Sequence, residues 1–202
     1  MVDRADSAYP AGAWEPDVLQ ATPPRVLSPR QRAMYRFGFG LFVVAESMIF
    51  LTLISSRFLL AGFGHPNALD QALAAVLTVI MAVSLVPVRL AGRSAARGRM
   101  APVPAHLLVT ALLGAAVVAG VFYGWARLGV PRSSRFGEVF YTATGFHAVH
   151  LVIGLAVLVG LAVQSSRGRF TSASRFGLVA GEIYWWFLVA VWMALYVVLY
   201  IL

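Results

Sequence analysis

The sequence predicts an all-α membrane protein: an up-and-down bundle of five transmembrane helices, with the amino terminus cytoplasmic and the carboxyl terminus outside. Three observations carry that expectation. Of 202 residues, 60% are hydrophobic and only 12% charged, at a mean hydropathy of +0.79, which is more apolar surface than a soluble domain of this length can hide. Five apolar runs follow one another, each near the roughly 20 residues needed to cross the hydrocarbon core of a bilayer. The arginines cluster in the short connections beside those runs, more of them on one side than on the other.

Residues 1–35 contain five of the ten prolines and show no helical or strand period, so they read as a disordered or loosely docked cytoplasmic tail. They do not read as a secretory signal. Asp3, Arg4 and Asp6 are followed by Pro10, Pro16, Pro23 and Pro24, where an apolar stretch would be required. Residues 36–202 form the transmembrane domain, with spans at about 37–61, 70–91, 103–126, 138–164 and 178–201. Gly62, Gly64, His65, Pro66 and Asn67 supply turn chemistry between the first two. Pro87 falls inside the second, where neighbouring helices can tolerate a lost hydrogen bond. Ser133 and Ser134 are candidate caps for the fourth, and Glu138 stands at its favourable dipole end.

All sixteen basic residues are arginines, and twelve of them fall on the amino-terminal side. Arg57, Arg127, Arg132 and Arg135 fall on the other, so the positive-inside rule sets the orientation given above. The same placement accounts for the net charge of +8 without nucleic acid. Cysteine is absent, which removes disulfides, thiolate metal sites and cysteine nucleophiles. No phosphate-cradling loop and no nucleophile with its base is visible.

Titratable residues at bilayer depth face a protein interior or a water path, because exposing them to lipid is expensive. Glu46 lies nine residues into the first span, roughly 13 Å from the cytoplasmic edge. His150 descends from the opposite side to roughly 12 Å from that same edge. His147 is its neighbour one turn away on the same helix. The matched depth predicts that Glu46 meets one of these histidines between the first and fourth helices, directly or through water. A plainer alternative is a pair of buried imidazoles bonded to backbone or to hydroxyls such as Thr142 and Thr144. Haem ligation is a poorer fit. His147 and His150 share a helix and cannot take opposite faces of one iron, His106 lies near the membrane edge, and His65 is in a loop. No metal site is expected, since three or four ligands would have to converge.

Ala143, Gly145, Ala148 and Gly154 thin the fourth helix for close packing. Glu182 is expected to pair with Arg175 or Arg169 at the cytoplasmic interface. Tyr184, Trp185 and Trp186 then read as headgroup-level anchors, with Trp192, Tyr196 and Tyr200 serving towards the outside, which makes phospholipid a plausible ligand.

Three segments together resemble subunit III of the haem-copper (cytochrome c) oxidases. They are RFGFGLFVVAESMIF from Arg36 to Phe50, RFGEVFYTATGFHAVHLVIG from Arg135 to Gly154, and FGLVAGEIYWWFLVAVWMALYVVLY from Phe176 to Tyr200. The middle one contains the family's ATGFHxxHxxIG pattern without a gap. The resemblance implies the five-helix form of that subunit, with Glu46 as its membrane-buried glutamate and His147 and His150 as its histidine pair. It implies a non-catalytic chain holding no haem or copper. Such a chain packs beside subunit I, with subunit II and other respiratory subunits as further partners, binds phospholipid, and supports proton uptake during electron transfer to oxygen in the bacterial plasma membrane. Two positions depart from the pattern. Trp186 stands where the family usually has histidine and Val189 where it has aspartate, which keeps open a divergent branch such as the subunit III-like proteins associated with nitric oxide reductases. A transporter would instead show broken helices or an inverted repeat, and neither is legible.

Overall fold

The computed structural model describes residues 28–62, 66 and 69–202; those residues form helices and turns, with no strand among them. Five helices are long and apolar enough to cross a membrane. They are α1 (Pro29–Ser56), α2 (Gln71–Ala96), α3 (Val103–Arg127), α4 (Arg135–Ser166) and α5 (Phe176–Tyr196). The first and last continue as π-helical turns, Arg57–Ala61 and Val197–Ile201.

Local chemistry sets the ends. Ser28 accepts from the Gln31 amide while the Gln31 side chain accepts from the Ser28 amide, a capping box with Pro29 at the first helical position. The helix therefore starts at Pro29, and residues 29–35 belong to it rather than to the expected tail. The rest of that tail, residues 1–27, lies outside the described residues, as do Gly64, His65 and Asn67 of the expected turn. Asp70 caps α2 through the Leu73 amide at 2.9 Å. Of the two serines expected to cap α4, Ser134 does so, accepting from Gly137 at 3.0 Å with Glu138 in the first turn. Gly98 and Gly168 follow α2 and α4 with φ of +74° and +70°, the left-handed stop that glycine adopts without strain.

Helices α2 to α5 close into a four-helix ring: α2 packs on α3 and α5, and α4 packs on the same two. Helix α1 stands outside the ring against α4 and α5. The ring is stitched by tryptophans. Trp185 Nε1 donates to Ser84 Oγ at 2.9 Å, Trp192 Nε1 to Thr78 Oγ1 at 3.0 Å and Trp125 Nε1 to Thr144 Oγ1 at 3.2 Å. Each hydroxyl in turn donates to a carbonyl of its own helix, that of Met81, Ala74 or Phe140. A hydroxyl can donate once and accept besides, so both demands are met within the helix contacts.

Trp185 and Trp192, expected as belt aromatics, are thus core residues, exposed by 0% and 1%. The small residues of α4 do permit close approach. A Cβ at Gly154 would stand 2.7 Å from Leu188 Cδ1 and 3.3 Å from the Trp185 ring, and one at Gly145 3.5 Å from Trp125. Ala143 and Ala148 are buried beside them.

Candidate functional site

The outer helix meets the ring through one polar contact. Glu46 Oε2 of α1 lies 3.0 Å from His150 Nε2 of α4, with 20% and 10% of the two side chains exposed. Matched depth on facing helices had predicted this meeting, and the contact is direct. The other ring nitrogen, Nδ1, lies 2.8 Å from the Phe146 carbonyl one turn back. A carbonyl only accepts, so Nδ1 carries hydrogen and donates. The remaining nitrogen and a carboxylate oxygen cannot stand 3.0 Å apart as two bare lone pairs. One further proton lies between them, whether written as imidazolium against carboxylate or as imidazole against carboxylic acid.

Phe50 fills the space beside this pair. It is 2% exposed, and its ring meets those of His150 at 5.2 Å, Phe146 at 5.3 Å, Phe187 at 5.9 Å and His147 at 6.1 Å, all edge-on. The arrangement suits aromatic quadrupoles and covers one side of the polar pair.

His147 behaves differently. It is fully buried, and neither ring nitrogen has a hydrogen-bond partner. Its ring lies against Trp192 at 5.5 Å. The hydroxyls expected to serve the histidines serve neither: Thr144 is committed to Phe140 and Trp125, and Thr142 faces outward. Glu46 is therefore shared with His150 and not with His147. Among the described residues no group of three metal-ligating side chains converges.

The cytoplasmic-end expectations are partly redrawn. Glu182 pairs with Arg89 of α2 at 2.7 Å, not with Arg175 or Arg169. The rotation of α5 turns Glu182 towards α2, and Gly92 leaves the room that its carboxylate occupies. Tyr184 is buried at 7% against Phe42 and Phe187, while Trp186 is 46% exposed and points out of the bundle. Val189 faces inward. Arg175 sits at the cap of α5, half-buried. Two residues were missed from sequence. Phe50 is one apolar residue among many, with no signal to separate it. Arg57 had one, being the only arginine within the expected first span. It is 1% exposed, donates to the Gly62 carbonyl and lies 4.9 Å over the Phe136 ring of α4.

Comparison with known proteins agrees with this architecture. The profile of a family described as cytochrome c oxidase subunit III matches residues 26–202. A protein named cytochrome c oxidase subunit 3 from Synechocystis is 32% identical over 176 residues, covering 82% of this chain and 75% of its own length. Another of that name, from Corynebacterium diphtheriae, is 30% identical over 192 residues, covering 89% and 94%. A third, from Thermostichus vulcanus, is 28% identical over 172 residues, covering 82% and 86%.

Proposed function

The chain belongs to the cytochrome c oxidase subunit III family, and from that premise we propose that it is the non-catalytic third subunit of a respiratory haem-copper oxidase in a bacterial plasma membrane. In this reading it packs directly on catalytic subunit I, near subunit II, with its amino terminus cytoplasmic. It supports proton uptake, retains phospholipid and steadies subunit I while electrons pass to oxygen. Haem and copper belong to the partner subunits.

The observation that carries the reading is the contact of Glu46 with His150. Two titratable groups that hold one proton between them, set at bilayer depth and mostly covered by protein beside Phe50, make a protonic contact between helices rather than in lipid. Such a pair does no bond chemistry on a substrate. It suits a subunit that keeps a proton-conducting neighbour in shape over many turnovers.

Two measurements test this. Gentle purification of the tagged chain should bring down a partner whose optical spectrum shows haem; a chain isolated stably and without pigment sinks the oxidase assignment. In the assembled oxidase, Glu46→Gln should leave the initial rate of oxygen consumption largely intact while changing sustained turnover or the phospholipid retained. No change in either assay defeats the role given to the pair.

A further inference from the structure

Gly168 stops α4 with φ of +70° and α5 begins at Phe176, which leaves a polar and basic connection between them. From Arg167 to Arg175 it reads RGRFTSASR, with hydroxyls at Thr171, Ser172 and Ser174. The three are not equivalent. The Thr171 amide donates to the Ser174 carbonyl at 3.4 Å and the Ser174 amide to the Thr171 carbonyl at 3.1 Å, so these two residues close a tight turn. The Ser174 amide also reaches Thr171 Oγ1 at 3.1 Å. Thr171 and Ser174 are partly buried, whereas Ser172 stands exposed at the tip of the turn, its hydroxyl in no hydrogen bond with a described residue.

The charges around Ser172 are of one sign. Arg169 and Arg167 lie three and five residues before it, both exposed, and Arg175 lies three after. No other serine or threonine among the described residues has arginine at both of those preceding positions. Ser172 also lines a groove of about 600 Å³, which it shares with Tyr35 and Arg36 of α1 and with Arg175 and Phe176. Arg36 and Arg175 form no ion pair with a described residue.

We propose that Ser172 is a phosphorylation site for an ATP-dependent protein kinase that reads arginines, and that Arg36 and Arg175 receive the phosphate and clamp the start of α1 to the α4–α5 connection. In the transfer, Ser172 Oγ bonds to the γ-phosphorus of ATP and the bond from that phosphorus to the β–γ bridging oxygen breaks. ADP leaves, and the hydroxyl proton passes to the base of the kinase. A kinase with an acidic substrate groove is the complement of Arg167 and Arg169. Phosphoserine brings a charge of about −1.5 to −2 and three strong acceptors, which two arginines lining one groove answer with charge-assisted hydrogen bonds. Helix α1 is the element such a clamp can move, because it is the least buried of the five spans. The site needs this end to be cytoplasmic, where ATP is, as the reading above places it, and does not need the oxidase assignment.

The full chain, purified from native membranes of growing and stationary cultures with phosphatase inhibitors present, should carry phosphate on Ser172 by peptide mass spectrometry. Phosphate absent from Ser172 in both, or found on Thr171 or Ser174 instead, overturns the site. The chain has no cysteine, so Ser172→Cys tests the orientation separately. A membrane-impermeant maleimide should label it in inverted vesicles and not in spheroplasts; labelling in spheroplasts defeats the orientation, while labelling in inverted vesicles with no phosphate on the parent defeats the site alone. Phosphorylated in vesicles by an arginine-directed serine kinase with ATP and magnesium, the chain should show amide exchange over residues 29–36 slowed several-fold. Arg36→Gln with Arg175→Gln should abolish that slowing while Ser172 is still phosphorylated. Exchange indifferent to the phosphate overturns the clamp.

Discussion

Helices α5 and α1 are both apolar enough to cross a membrane, yet 56% of the spanning stretch of α5 is buried in the protein and only 6% of that of α1. Hydropathy does not distinguish them, because lipid tails are as apolar as a protein core. What separates them is the means of attachment. Helix α5 carries Trp185 and Trp192, each hydrogen-bonded to a hydroxyl of α2, and Trp185 is seated where Gly114 of α3 and Gly154 of α4 make room. Helix α1 offers one buried ring, Phe50, the contact of Glu46 with His150, Tyr35 and Phe42 against Phe176 and Tyr184 of α5, and Arg57 just past its carboxyl end. Without a hydrophobic drive between helices in lipid, these few contacts must place α1.

The largest expected effect lies in the ring. Trp185→Ala removes a ring wedged between Gly114 and Gly154 and leaves Ser84 without its donor. Unfolding in detergent should show a loss of about 3–5 kcal/mol. A loss near zero would mean that the ring does not depend on its tryptophans. Phe50→Ala should fall at the low end of the same range of about 3–5 kcal/mol, since lipid chains can partly fill a gap at the periphery. Its signature is local. Hydrogen exchange should rise in α1 while α2 to α5 keep their protection, and uniform loss of protection would erase the distinction between the two regions.

Gly154→Val comes next, because its side chain would enter the space of Leu188 and Trp185. Overpacking of this kind costs about 1–3 kcal/mol. Gly40→Val on α1 is the matched control, with nothing within 4 Å of a Cβ there. Equal melting shifts for the two variants would contradict the packing difference.

The spans were legible because about 20 apolar residues are a length constraint that the sequence states outright. The meeting of Glu46 and His150 was legible for a related reason, since residue number converts to depth along an upright helix. Rotation about the helix axis has no such conversion. That is why Glu182 was assigned to Arg175 or Arg169 when α5 turns it to Arg89, and why Trp185 and Trp192 were read as facing headgroups. Their hydroxyl partners, Ser84 and Thr78, lie on another helix and become meaningful only once facing surfaces are known. The start of α1 was missed for a different reason. Ser28 and Gln31 spell a capping box, but a polar first turn outside the bilayer leaves no mark on hydropathy.

Glu46→Gln should have the smallest effect on stability and the sharpest bearing on α1. The glutamine amide can donate to a neutral His150 Nε2 while Nδ1 keeps its bond to the Phe146 carbonyl, so the contact survives without a shared proton. The loss should stay within about 0.5–1.5 kcal/mol, the net worth of one hydrogen bond. Hydrogen exchange should therefore find α1 nearly as protected in the glutamine variant as in the parent, whereas Glu46→Ala, which takes the partner from His150 Nε2, should raise exchange in α1 while α2 to α5 keep their protection. Unchanged exchange in the alanine variant would leave the seating of the outer helix to Phe50, Arg57 and its aromatic contacts with α5.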